Sequence, residues 1–318
     1  MQYAVLSLGA LEQGLIYALL AVGVFVSLRV MDIPDLTVDG SFVSGAAVSV
    51  MITGISPDGS GSSTLAFLSL AAAILVGAAA GIITGVLHTK LQVKPLLAGI
   101  ITMTALFSIN LVVMQEKPTV SINGKASVFT PFFEFFSRGG NLSALTKKLA
   151  TLPVLFSVVL AACVLLFLFF RTQLGLAVRA TGDNEDMVRA SSIDSDIMKI
   201  IGLAIANAIV ALSGAVLAQH QNFADAKSGT GMVVVGIASI IIGETLFGRR
   251  TLLNNMISAV LGAIVYRIFI AVILLMGLPA SYFKLLSAVI IVLSILFPVV
   301  GRELKKRRDR KAIDYAYD

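Results

Sequence analysis

The chain has 318 residues, of which 57% are hydrophobic and 13% charged, about half the charged share of an ordinary soluble domain, which is roughly 25%. That balance excludes a soluble fold, which would have to expose large apolar patches, and makes the bilayer the natural solvent. Half of the net charge of +6 lies in a tail at 302–318, where Arg302, Lys305, Lys306, Arg307, Arg308, Arg310 and Lys311 face Glu303, Asp309, Asp314 and Asp318. This tail follows an apolar run directly, so it reads as a cytoplasmic anchor on anionic headgroups rather than a nucleic-acid-binding arm.

Taken in order, nine apolar segments predict an all-α polytopic membrane protein: 9–28, 38–54, 64–88, 95–114, 152–170, 199–218, 232–247, 253–276 and 281–300. Only short polar connections separate them, so 1–318 is expected to form a single transmembrane domain. The N-terminus lacks the basic start and small-residue cleavage site of a removable signal peptide, and the first segment is expected to stay in the mature protein. With the basic tail inside, alternation places Arg29, Lys90, Lys94, the 171–198 loop, Arg249 and Arg250 on the cytoplasmic side. The outer connections are then 55–63, 115–151, 219–231 and 277–280, and the N-terminus faces outward.

Segments 38–54 and 232–247 differ from the others. Both are short and interrupted by glycine. The polar stretch Val38-Asp39-Gly40-Ser41 opens one, and Ser228-Gly229-Thr230-Gly231 precedes the other. They cross in opposite directions, and such a matched pair predicts an inverted repeat with a pathway between its halves; close packing of Gly-rich helices is the competing explanation. The long outer loop 115–151 carries Phe129, Phe132, Phe133, Phe135 and Phe136 beside Lys147 and Lys148. It reads as an interfacial helix or as part of a docking surface for an outer partner. The lone Cys163 lies in an apolar run and supplies neither a disulfide nor a thiol metal site.

The loop 171–198 is the most informative stretch. Gly182 is expected to break the chain, Asp183 or Asn184 to cap a short helix, and Glu185 and Asp186 to suit its positive end. Met187, Val188 and Ala190 offer a small apolar surface, which together with Arg179 and the flanking charges would suit a peripheral protein. The pattern Leu174-Gly175, Arg179-Ala180, Gly182, Asn184, Ala190 and Ile193 resembles the cytoplasmic signature of permease subunits in bacterial ABC importers of the branched-chain amino acid and ribose type. The resemblance continues through Gly229-Thr230-Gly231, Gly236-Ile237-Ala238, Gly243 and Gly248-Arg249-Arg250. The string from Pro34 to Ser41 is closest to a subgroup associated with aromatic amino acids such as tryptophan or tyrosine.

Membership would imply a multi-pass protein of the bacterial inner membrane, working as a homodimer or paired permease. It would work with two cytoplasmic ATPase subunits and an outer substrate-binding protein, by alternating access. The chain has no Gly-x-x-x-x-Gly-Lys-Ser/Thr loop, so ATP and Mg would be bound by the partner ATPase and no cofactor by this chain. The family usually has glycine where this chain has Ser192, and a serine there disfavours left-handed backbone.

Arg267 is a strong charge inside a span. It reads as a partner for a substrate carboxylate, as a structural pair for Glu244, or as a snorkelling side chain. Asn110 and Asn207 lie within spans, lining the pathway or bonding between helices. Asp39 reads as a pathway residue or as the cap of its own short segment, and Glu244 as a gate residue or a partner of Arg249 or Arg250. His88 and His220 are isolated and give no metal site. An ion-gradient-driven secondary transporter is the alternative. It would need acidic residues buried in mid-span, for which Glu244 is the only candidate. A membrane enzyme would need a facing catalytic set, which the sequence does not offer.

Overall fold

The computed structural model describes residues 2–55, 63–137 and 144–275, with isolated positions 285, 288, 289, 292 and 296. The expected segment 281–300 and the tail 302–318 thus lie outside the described residues, except for those few positions. Eleven α-helices and one two-stranded ribbon are described: α1 (Gln2–Phe25), α2 (Thr37–Gly54), α3 (Ser63–Thr89), α4 (Pro95–Val113), β1 (Thr119–Ser121), α5 (Thr130–Ser137), α6 (Ala144–Phe169), α7 (Gln173–Asp183), α8 (Glu185–Ala190), α9 (Ser195–Gln221), β2 (Phe223–Asp225), α10 (Met232–Phe247) and α11 (Leu252–Leu275). Six helical stretches are long and apolar enough to cross a membrane, drawn from α1, α3, α4, α6, α9 and α11. The other two expected segments form helices at their predicted positions but fall short of that standard. α10 has 16 residues, and α2 is diluted by Thr37, Asp39, Ser41, Ser44 and Ser49.

Burial sorts these helices into an inner and an outer set. In α1 and α9, 83% and 72% of the span is buried, whereas α3, α4 and α6 bury only 33%, 28% and 22% of theirs. α2 is buried along most of its length despite its polar residues, so the core is α1, α2 and α9, and the apolar outer faces of the other helices are left for lipid. Three glycines four residues apart, Gly77, Gly81 and Gly85, let α3 lie directly on α9. A Cβ at any of them would collide with the backbone at Asn207, Leu203 or Ile200. Gly243 and Gly262 serve the contact between α10 and α11 in the same way.

The expected alternation of connections is visible in the contacts. One end of the bundle gathers the end of α1, the turn at Lys90, α7, α8 and the end of α10, tied by Lys90–Asp196 at 3.0 Å and Arg29–Glu244 at 2.7 Å. The other end carries the antiparallel β1–β2 ribbon, which pairs Thr119 with Asp225 and Ser121 with Phe223. There α5 exists as expected, but it is tied to the bundle rather than merely lying beside it. Phe129 is buried against His220 and Phe133, while Phe132 and Phe135 stay exposed. Lys148 is no rim charge either, since it reaches inward to the buried Glu12 at 2.9 Å.

One connection departs from expectation. After β2 the segment 226–231 turns back into the bundle rather than staying at its end. Gly229 packs against the Asp39 carbonyl and Val43, so α10 starts deep inside. α2 also starts inside, because Asp35 just before it bonds Asn207 near the middle of α9. The two short helices begin at a common level and run apart. α2 heads to the ribbon end, where Ala46, Ala47 and Val50 pack with Met114, Ile122 and Ala224. α10 heads to the end that holds Arg29 and Glu244.

Candidate functional site: the junction of α2 and α10

The junction begins with sequence chemistry at Pro34-Asp35. Proline disfavours helix for the residue before it, and α1 loosens into a π-helical turn, Val26–Val30, before the chain leaves the helix. Asp35 Oδ1 then accepts the Thr37 N–H at 2.8 Å and starts α2. Its Oδ2 accepts from Asn207 Nδ2 at 2.6 Å, and Asn207 Oδ1 accepts from the Ser41 hydroxyl at 2.7 Å. Thr37 and Thr84 share a further hydroxyl bond at 2.7 Å. All of these side chains are buried, and each polar group has a partner, as a low-dielectric setting requires.

Asp39 caps a helix, but not its own. Its carboxylate accepts the Gly231 N–H on Oδ2 and the Val233 N–H on Oδ1, both at 2.8 Å, and so closes the first turn of α10. Gly231 precedes that turn at φ +88°, a left-handed conformation that suits glycine. The expectation that Asp39 caps segment 38–54 is therefore corrected: Asp35 does that locally, which frees Asp39, one helical turn further on, to reach across. Asn110 lies beside it, buried, donating from Nδ2 to the Gly40 carbonyl at 3.3 Å. Between α2, α4 and the re-entrant segment lies a cavity of about 190 Å³, whose lining includes Asp39, Asn110, Val43, Met103, Phe107 and Thr230. The structure thus brings Asp39 and Asn110 to one cavity. Asn207 belongs to the network behind it, and Glu244 and Arg267 lie elsewhere.

Glu244, near the end of α10, accepts from Arg29 on Oε2 at 2.7 Å. Arg249 Nε stands 3.3 Å from its Oε1, close enough to share charge but not aligned as a hydrogen bond. Pairing of Arg267 with Glu244 is thereby excluded. Arg267 instead lays its guanidinium 3.5 Å over the Tyr17 ring and donates from Nη1 to Gln13 at 3.3 Å.

In the loop 171–198, Asn184 is the cap of α8. Its side chain accepts from the Met187 N–H at 3.0 Å. The expected break falls just after Gly182, at Asn184, where the backbone turns extended. Gly182 itself is the penultimate residue of α7, where only a glycine fits against the carbonyl of Val30. The apolar surface also differs from expectation, since Met187 and Ala190 face outward while Val188 is 2% exposed and packs inward. Arg179 is half-buried on α7 and Asp183 exposed at its end. Glu185 is held from three sides, by Lys199 at 2.7 Å, Arg189 at 2.8 Å and the Ser195 hydroxyl at 3.0 Å. The Lys199 hydrogen bond keeps its carboxyl below the usual glutamate range, helped by Ser195 and the charges of Lys199 and Arg189. Ser192 adopts φ +61°, the left-handed backbone that its departure from glycine puts under strain.

Several residues escaped the sequence reading. Asp35, quoted only as part of a motif, is a buried carboxylate at mid-depth, so Glu244 is not the only buried acid. Glu12 is another, paired with Lys148 and 3.5 Å from His220. The signal was present, since Glu12 is the sole acidic residue in the apolar run 9–28. Gln219 ties Ser49, Ser69 and Ala66 to Val128, and no spacing rule announces it.

Comparison with known proteins agrees with this architecture. The family described as branched-chain amino acid transport system / permease component matches residues 6–295. A tyrosine transport system permease protein of Clostridioides difficile strain R20291 is 34% identical over 302 residues, covering 94% of this chain and 93% of the relative. The ribose import permease protein RbsC of Escherichia coli K12 is 28% identical over 287 residues, 90% of this chain and 83% of the relative. An autoinducer 2 import system permease protein, LsrC of Yersinia enterocolitica, is 27% identical over 238 residues, 72% of this chain and 59% of the relative. No solved structure matches. With a family match across most of its length and a relative this similar over nearly all of it, the chain belongs to the permease components of branched-chain amino acid-type transport systems.

Proposed function

We propose that the chain is the membrane subunit of an ATP-driven importer for an amino acid, with an aromatic side chain favoured. A substrate-binding protein delivers the amino acid from outside, and a second permease copy completes the pathway. The tyrosine system named for the Clostridioides difficile relative supports the substrate class, as does an apolar cavity wall of Val43, Met103 and Phe107. The opposed directions of α2 and α10 support an inverted arrangement around that cavity. In this reading the loop 171–198 is the coupling element for cytoplasmic ATPase subunits that bind ATP and Mg. It lies at the same end of the bundle as Arg29, and with that end in the cytoplasm the N-terminus is outside.

The observation that carries the proposal is the seating of that loop. α7 meets the π-helical turn of α1 through Gly182 and Val30, and α8 is clamped to α9 through Glu185 and Lys199, while Met187 and Ala190 remain exposed. A partner that pushes on the exposed face moves rigid contacts leading to Arg29 and α10, which is what alternating access needs. Co-purification from native membranes tests it. An ATPase is retained by the normal chain and lost on combining Met187→Asp with Ala190→Asp, while the fold persists. A folded chain that never retains an ATPase would sink the proposal. The second reading, an ion-gradient-driven transporter, draws on Asp35, a buried carboxylate with no ion pair among the described residues. Uptake by the chain alone, driven by an ion gradient without ATP, would establish it instead.

A further inference from the structure

The Asp39 carboxylate has an unusual position for a helix cap. It lies within the bundle, half-buried, and forms no ion pair with any described residue. Its two bonds to α10 use one acceptor position on each oxygen, and an ionised carboxylate offers about four. The remainder faces a cavity whose other walls are apolar, from Val43, Met103 and Phe107, or polar but uncharged, from Thr104, Asn110 and Thr230. A carboxylate at that depth must meet water or a cation, because lipid would make it costly. The N-terminus of α10 supplies only about half a positive charge to this carboxylate, so a full cation fits on its cavity side.

We infer that Asp39 is the subsite for the α-ammonium group of the transported amino acid, with Val43, Met103 and Phe107 receiving its side chain. This deepens the amino-acid reading above and rests on it. The ammonium donates to the cavity-facing lone pairs while Gly231 and Val233 keep theirs, so the occupied site links substrate to the first turn of α10. An amine-free analogue would leave the carboxylate without its cation and bind poorly.

Thiol labelling tests this in the full transporter, with its ATPase and binding protein, in proteoliposomes. Thr104→Cys is placed in a Cys163→Ala background, and the rates with cationic aminoethyl and anionic sulfonatoethyl methanethiosulfonate are compared. With each rate divided by that reagent's rate with a free thiol in solution, the cationic reagent is expected to react faster by about tenfold, and Asp39→Asn, which keeps one capping oxygen, is expected to remove the preference. In the Asp39 background tyrosine should protect the cysteine, while its des-amino analogue, 3-(4-hydroxyphenyl)propionate, and sodium chloride at equal concentration should not. Equal normalised rates for the two reagents overturn the proposal without any change at Asp39. Equal protection by the des-amino analogue, or protection by sodium ion alone, overturns it as well. So does a lack of protection by every member of a panel of common L-amino acids. Amino-acid uptake by the same vesicles in any of these cases leaves the importer reading standing, whereas ATP-driven uptake of no amino acid removes that reading separately.

Discussion

The ion pair between Arg29 and Glu244 allows the connection between α1 and α10 to be measured. The two groups are 2.7 Å apart, and their side chains are 30% and 8% exposed. Two unit charges about 4 Å apart attract by about 4 kcal/mol at an effective dielectric of about 20. Arg29 is partly solvated, and Arg249 at 3.3 Å substitutes for some of its charge. The coupling that survives is therefore about 1–3 kcal/mol, below the cost of stripping a fully buried carboxylate of its only partner. A double-mutant cycle with Arg29→Ala and Glu244→Ala, followed by unfolding in lipid nanodiscs, isolates that term.

Each single change is expected to destabilise, Arg29→Ala more than the cycle's pairwise term because it leaves Glu244 largely desolvated. The double change should cost less than the two singles added together. The exchanged pair, Arg29→Glu with Glu244→Arg, should recover part of the loss, whereas Arg29→Glu alone should be worst because it sets two carboxylates together. Additive single losses, with a coupling inside about 0.5 kcal/mol, would refute the view that this pair holds the end of α10 to α1.

Three further outcomes follow from the geometry. Glu185 has a folded pKa below its unfolded value, with the Lys199 hydrogen bond as the leading cause. Its contribution is therefore full above the unfolded pKa, about 4.3, and is lost as pH falls through the lower folded value. Hydrogen exchange of α8 should quicken over that acid range, and Glu185→Gln should abolish the dependence. Ser192→Gly should stabilise by about 0.5–1 kcal/mol in thermal unfolding, because relief of left-handed strain exceeds the added unfolded-state entropy. Gly81→Leu should prevent folding, since its Cβ would strike the Leu203 backbone, whereas Gly54→Ala, with nothing within 4 Å, should leave yield and unfolding temperature unchanged.

What the sequence disclosed was whatever follows from local rules. Apolar length placed eight of the helices, because a 1.5 Å rise per residue ties span to residue count. Capping chemistry found Asn184, since a side chain reaching three residues ahead is a local event. The same local rule went wrong at Asp39. A carboxylate two residues into a helix satisfies the rule for its own N-terminus, and nothing in the spacing tells that its bonds go to Gly231 and Val233, almost two hundred positions away. Gly182 is a related case. Read locally, a glycine breaks a helix, and α7 does end one residue later at Asp183; but Gly182 itself is helical, and its missing side chain makes room for the carbonyl of Val30 in the π-helical turn after α1. The polar residues of α2 carried the better clue. Thr37, Asp39, Ser41, Ser44 and Ser49 dilute a segment that is nonetheless buried along most of its length; Ser44 bonds back to Gly40 of its own helix, but the other four take partners from elsewhere in the chain. A helix that polar can be placed at the centre of a membrane bundle only if α3, α9 and the re-entrant segment supply those partners. The short, broken appearance of 38–54 is thus the local trace of a buried polar junction.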